Sequence, residues 1–226
     1  MTSLHYPNES PEYRAARDAL LDEELALREQ IERVAKQRRA LPPGGVVKED
    51  YVFEERVNGK DQSTKLSGLF APKKDTLLLY SFMYSPDMAA ACPMCTGFLD
   101  GLDGQIEHLD QCINVAIVAK HSLDKIHEIA ASRGWNRFRL LSSANNTYNA
   151  DYFGETSAGQ TTMANVFVRN DGEIHHFWGT EMSFAHAIAG GNMRHLDQAW
   201  AMWNVLDMTP AGRGEQFYPS LSYSDD

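Results

Sequence analysis

At 226 residues, 43% hydrophobic and 23% charged, the chain has the composition of an ordinary soluble globular protein. Its 21 Lys and Arg against 31 Asp and Glu give a formal charge of −10, which argues against nucleic acid or an anionic membrane surface as partner, because phosphate binding needs cations in excess. No apolar run approaches the roughly 18 residues of a spanning helix, the opening MTSLHYPNESPEY lacks a signal-peptide pattern, and three cysteines are too few for a disulfide scaffold. The expectation is a cytoplasmic protein.

Glu12 to Ala40 reads as an amphipathic helix, with Leu20, Leu27, Ile31 and Val34 at helical spacing and Pro42-Pro43-Gly44-Gly45 as its stop. Its apolar face needs a cover, either the rest of the chain or a second subunit in a homodimer. Val46 to Phe53 and Lys65 to Phe70 read as strands flanking the turn dipeptide Asn58-Gly59. Thr76 to Met83 is an apolar run, as expected of a strand buried on both faces. Phe98, Leu102, Ile106 and Leu109 then mark one helix face, and Ile113 to Ala119 a second buried strand. Ser122 can cap a helix that Gly134 ends. Phe138 to Leu141 is a short strand, and Asn145 to Gln160 an irregular loop. Met163 to Arg169 and Glu173 to Trp178 form a hairpin about Asn170-Asp171-Gly172, and Arg194 to Leu206 a final helix. The expected fold is α/β with a mixed sheet, its crossover helices lying on both faces.

Cys92-Pro93-Met94-Cys95 lies between a buried strand and an amphipathic helix, where the helix should start. Pro93 suits the first helical position, which makes Cys92 the N-cap, beside unpaired N–H groups and the positive end of the helix dipole. Both effects favour thiolate. Cys95 begins the buried stripe through Phe98 and Leu102, so one sulfur is exposed and acidified while its partner is shielded one turn inside. Thiol–disulfide exchange needs that asymmetry: Cys92 attacks as nucleophile and Cys95 resolves the mixed disulfide.

A C-x-x-C between strand and helix resembles the thioredoxin fold. The run YSFMYSPDMAAACPMCTGFLDGLDG, with LSGLFAPKKDTLLLY before it, RRALPPG, the late hairpin and the tail from Val205 to Arg213, resembles a bacterial domain-of-unknown-function family described as predicted dithiol-disulfide oxidoreductases. The resemblance covers nearly the whole chain and implies a thioredoxin-like fold; with the elements above, the expectation is a mixed sheet flanked by helices, with a helical extension over 1–45, the domain over 46–208 and a tail over 209–226. It assigns roles only to Cys92 and Cys95. Two departures from thioredoxins stand out. Ala91 precedes Cys92, and no proline occurs between Pro93 and Pro210, so Thr162 or Met163 takes the place of the proline that faces the disulfide in thioredoxins.

Other readings of these residues remain open. Peroxiredoxins resemble the chain in the strand, helix and late hairpin, but counting from Pro86 their hydroxyl position falls on Ala90 and their cysteine position on Pro93. Cys92, Cys95, His108 and Cys112 have the spacing of a zinc-ligand set. Against it, a helix over 93–109 would put His108 about 24 Å along the axis from Cys92, although Gly97, Gly101 and Gly104 weaken that helix. Cys112 reads more simply as a small buried residue at a strand start. His175 and His176 point to opposite sides of a strand, Trp178, Trp200 and Trp203 read as core or interface anchors, Tyr84 and Asp87 could line an approach to the cysteines, and Arg213 could grip an acidic partner. No Gly-rich phosphate loop follows a strand, so no organic cofactor is expected. The expected partner is a cellular thiol or disulfide that gives or takes electrons, and the non-enzymatic alternative is a partner-binding module on the same core.

Overall fold

The computed structural model describes residues 4–184, 197–214 and 217–223, and the chain divides into two units, 1–42 and 43–226. The first unit is helix α1 (Pro11–Arg39). Ser10 caps it by accepting the Tyr13 N–H at 3.1 Å, Pro11 opens it, and Lys36, Arg38 and Arg39 close it. Caps and charges therefore agree with the helix dipole. α1 buries none of its residues: Leu20, Leu27 and Ile31 of the expected stripe are each more than half exposed.

The second unit opens with Gly44 and Gly45 against a later strand, and then a hairpin of β1 (Val52–Val57) and β2 (Lys60–Lys65). Asn58 and Gly59 both have positive φ, 51° and 75°, the pair of left-handed residues that a two-residue hairpin turn requires. So short a turn makes pairing begin at once, and the strands abut it. The strands expected at 46–53 and 65–70 are therefore displaced: Val46 makes an isolated bridge to His175, and Leu66–Leu69 is a 3-10 turn.

There follow β3 (Thr76–Phe82), α2 (Pro93–Asp103), α3 (Ile106–Leu109), β4 (Asn114–Ala119), α4 (Leu123–Arg133) and β5 (Arg139–Ser142). α4 begins after Ser122 and stops at Gly134, whose φ of 73° is left-handed. The long helix expected through Leu109 is broken at Gly104-Gln105, yet its stripe still faces the core, since Phe98, Leu102 and Ile106 are all buried. The expected loop over 145–160 contains α5 (Tyr148–Asp151) and the small ribbon of β6 (Glu155–Thr156) and β7 (Gly159–Gln160), with Tyr148 and Asn149 fully buried. β8 (Met163–Asn170) and β9 (Glu173–Gly179) form the late hairpin about Asp171-Gly172. Of the expected last helix, 194–196 lie outside the described residues, Asp197–Ala199 is a 3-10 turn, and α6 (Ala201–Asp207) is the helical part.

The strands order as β2-β1-β5-β4-β3-β8-β9, with β3, β4 and β5 parallel and β8 antiparallel to β3. This is a thioredoxin-like mixed sheet. Alternate residues of β3 feed two cores. Leu77 and Leu79 join Tyr51, Phe53, Leu66, Leu69 and Tyr148 on one face, while Tyr80 and Phe82 join Phe98, Ile126, Trp200 and Trp203 on the other. The expectation of crossover helices on both faces is corrected here: α2 and α4 share one core. The order β3, β4, β5 advances in one direction, and two crossovers of one hand that advance the same way leave their helices on the same face. No described helix is long and apolar enough to cross a membrane.

Candidate active site

The chain leaving β3 turns back so that the Cys92 N–H donates to the Met83 carbonyl at 3.1 Å. That fixes the start of α2. Cys92 is its N-cap, extended at φ −61° and ψ 121°, and Pro93 is its first residue. The Cys92 sulfur accepts the Cys95 N–H at 3.5 Å, while the Cys92 carbonyl accepts both the N–H and the hydroxyl of Thr96 at 2.9 Å. The sulfur thus stands where an Asp or Ser oxygen often caps a helix.

The two thiols are unlike. Cys92 is partly exposed and Cys95 is buried. A hydrogen bond from the Cys95 thiol draws the Cys92 pKa down to about 6, against the opposing effect of burial; the Cys95 and Met94 N–H groups and the Tyr218 hydroxyl add to the depression. Donating that bond, together with burial, pushes the Cys95 pKa well up, with the Tyr80 hydroxyl and the Met83 backbone opposing. Tyr80, fully buried on β3, has its hydroxyl between Cys95 and Thr162, and burial above all keeps it protonated. Thr162 immediately precedes β8, and its own hydroxyl donates to the Ser81 carbonyl at 3.2 Å. A polar side chain thus fills the place that the sequence leaves without proline.

The other candidates disperse. His108 is in α3 and Cys112 in the turn before β4. Among the described residues no three His, Cys, Asp or Glu side chains gather to hold a metal, so the spaced set Cys92, Cys95, His108 and Cys112 is not one site. Cys112 is exposed rather than buried, because β4 starts two residues later, at Asn114. His175 bonds the Gly44 carbonyl and His176 the Asn165 side chain, on opposite sides of β9. Trp200 and Trp203 are core residues, whereas Trp178 is half-buried. Tyr84 packs on His121 with ring centroids 4.6 Å apart, and Asp87 is exposed in the loop before Cys92. Arg213 is paired within its own chain, at 2.7 Å from Asp207 and over the Trp203 ring.

Sequence reasoning missed Tyr80 and Tyr218. Tyr80 carried a usable signal, as the one hydroxyl-bearing ring in the apolar run TLLLYSFM. Tyr218 lies more than a hundred residues after Cys92 and carried none.

The profile of one bacterial protein family of unknown function, DUF899, matches residues 2–225. No curated protein matches the chain. Among solved structures, the chain is similar to AhpC from Enterococcus faecalis, at 12% identity and TM-score 0.46, over 78% of this chain and 98% of that one. It is similar to peroxidoxin BcpB from Mycobacterium tuberculosis, at 19% identity and TM-score 0.42, over 74% and 98% of the two chains. A variant of peroxiredoxin Q from Xanthomonas campestris overlaps at 15% identity and TM-score 0.44, over 72% and 96%. Overlaps this loose carry no activity across to this chain.

Proposed function

This chain belongs to the bacterial DUF899 family, and we propose that it is a thiol–disulfide oxidoreductase whose dithiol is Cys92 and Cys95. One observation carries the reading. A partly exposed sulfur at a helix start accepts the Cys95 N–H at 3.5 Å, in surroundings that lower its pKa, while its neighbour one turn inside is buried, which raises its own.

In the reducing direction the Cys92 thiolate attacks one sulfur of a substrate disulfide. An S–S bond forms to Cys92 as the substrate's own S–S bond breaks, and the leaving thiolate takes a proton from solvent. With Cys92 now neutral, the Cys95 thiol no longer donates to a charge and the main brake on its ionisation is gone. Tyr80 is placed to donate to the thiolate that forms. Cys95 gives up its proton and attacks the Cys92 sulfur, closing the Cys92–Cys95 disulfide as the Cys92–substrate bond breaks, and the expelled second substrate thiolate takes up a proton in its place. Two electrons have passed to the substrate, and two equivalents of a cellular thiol restore the dithiol. Run in reverse, the pair oxidises a substrate dithiol. A cytoplasmic setting would supply such thiols.

The test counts free thiols by alkylation and intact mass across glutathione and dithiothreitol redox buffers, with and without a chelator. A reversible two-electron loss confined to Cys92 and Cys95 is expected. In exchange assays Cys92→Ser should abolish turnover and Cys95→Ser should accumulate a mixed disulfide on Cys92. Thiols that stay reduced throughout, or become reactive only with chelator, overturn the reading. Oxidation of Cys92 by hydrogen peroxide that outruns disulfide exchange would replace it with a peroxidase.

A further inference from the structure

The tail after α6 has no role in that mechanism, yet it is pinned beside the dithiol from two sides. A ladder of aromatic rings leads to it from the sheet: Tyr80 to Phe98 at 4.9 Å between centroids, Phe98 to Trp200 at 5.8 Å, Trp200 to Trp203 at 5.6 Å and Trp203 to Phe217 at 5.9 Å. Beyond Phe217, Pro219 is buried against the first turns of α2, so close that a Cβ on Gly97 would lie 3.6 Å from it and 3.5 Å from the Trp200 ring. Arg133, at the end of α4, then donates to the Leu221 carbonyl at 2.9 Å while its guanidinium bonds Asp100 of α2. Between these anchors stands Tyr218. Its ring is largely exposed, and its hydroxyl bears on the Cys92 thiol, favouring the thiolate.

We propose that Tyr218 belongs to the dithiol site, donating its hydroxyl to the Cys92 sulfur from a tail anchored by Phe217, Pro219 and Leu221. The proposal rests on Cys92 being the attacking thiol. The titratable groups that face Cys92 among the described residues are Cys95 on its own helix, Tyr80 on β3 and Tyr218 on the tail. None of these is a cation, and hydrogen-bond donors at the helix start meet the charge on the thiolate. A phenol hydroxyl binds a thiolate better than a neutral disulfide sulfur. Tyr218 therefore favours the reduced, attacking form. It also lowers the intrinsic nucleophilicity of each thiolate, since a more stabilised thiolate reacts more slowly.

That pairing of effects separates a hydrogen-bonding role from a structural one. Reduced full-length protein and Tyr218→Phe are alkylated with iodoacetamide from acidic to alkaline pH. Labelling of Cys92 is followed by peptide mass, with exposed Cys112 as the reference in the same tube. Removing the hydroxyl is expected to raise the Cys92 midpoint by about half a pH unit or more, so that labelling on the acid side slows about threefold. The alkaline plateau should stay level or rise. Pro219→Gly, which loosens the anchor and keeps the hydroxyl, should move the midpoint the same way by less. An unchanged midpoint in Tyr218→Phe overturns the proposal, as does a drop in the plateau alone, which would make the ring only an access element. Alkylation needs no substrate disulfide, so a failure here is distinct from a failure of the exchange assays.

Discussion

Cys92 and Cys95 sit three residues apart on one helix, and one hydrogen bond between them moves their acidities in opposite directions, down at the outer sulfur and up at the inner one. The sequence predicts half of this from position, because an N-cap sulfur receives helix N–H groups and a residue three further on faces inward. The two tyrosine hydroxyls that complete the arrangement come from β3 and from the tail. A pH prediction follows at this scale. Since only thiolate reacts with iodoacetamide, Cys92 labelling should rise as pH increases through about 6 and level off above it. Cys95→Ala should move that midpoint upward, because alanine has no donor and the main depressing contact is lost. A Cys92 midpoint that stays above 8 in the intact protein would contradict the hydrogen-bond geometry.

Elements were legible where local chemistry decides them. Ser10 and Pro11 start α1, Gly134 ends α4, and Asn58-Gly59 turns the first hairpin. Gly44 illustrates the opposite case. In sequence it is one of several residues that stop α1, but in the fold its backbone passes against β9. The His176 N–H donates to the Gly45 carbonyl at 2.9 Å, and a Cβ on Gly44 would stand 2.0 Å from the His176 carbonyl oxygen. Neither backbone can yield without breaking that pairing. Gly44→Ala should therefore cost ~2 kcal/mol, read as a lower urea midpoint at unchanged slope. Gly45→Ala meets nothing within 4 Å and serves as the control with little effect. Equal midpoints for the two variants would mean that the approach to β9 is not held in solution.

On the scale of the whole molecule, stability resides in the two cores of the sheet, and among the described residues neither includes one before Val47. Deleting residues 1–42 should leave a chain that unfolds in one cooperative step, within about 0.5 kcal/mol of the full-length protein, by urea titration followed by circular dichroism. Loss of the cooperative transition would show that the α1 unit is needed for the core. The sheet order also decides which parts meet the dithiol. With β8 beside β3, Thr162 reaches the Ser81 carbonyl, and with α2 and α4 on one face, Asp100 and Arg133 meet and tie down the tail.

By itself the sequence determined the α/β pattern, the buried strands, the ends of α1 and α4 and the cysteine pair at a helix start, because each depends on residues within a turn or two of one another. Only the tertiary structure decided that both crossover helices share a face, that His108 and Cys112 stay apart from the pair, that Cys112 is exposed, and that Tyr80 and Tyr218 bear on the sulfurs, with Thr162 behind Tyr80. Those outcomes depend on strand order and on contacts between residues far apart in the chain. Local periodicity reports which side of an element is apolar, but not which distant element will cover it.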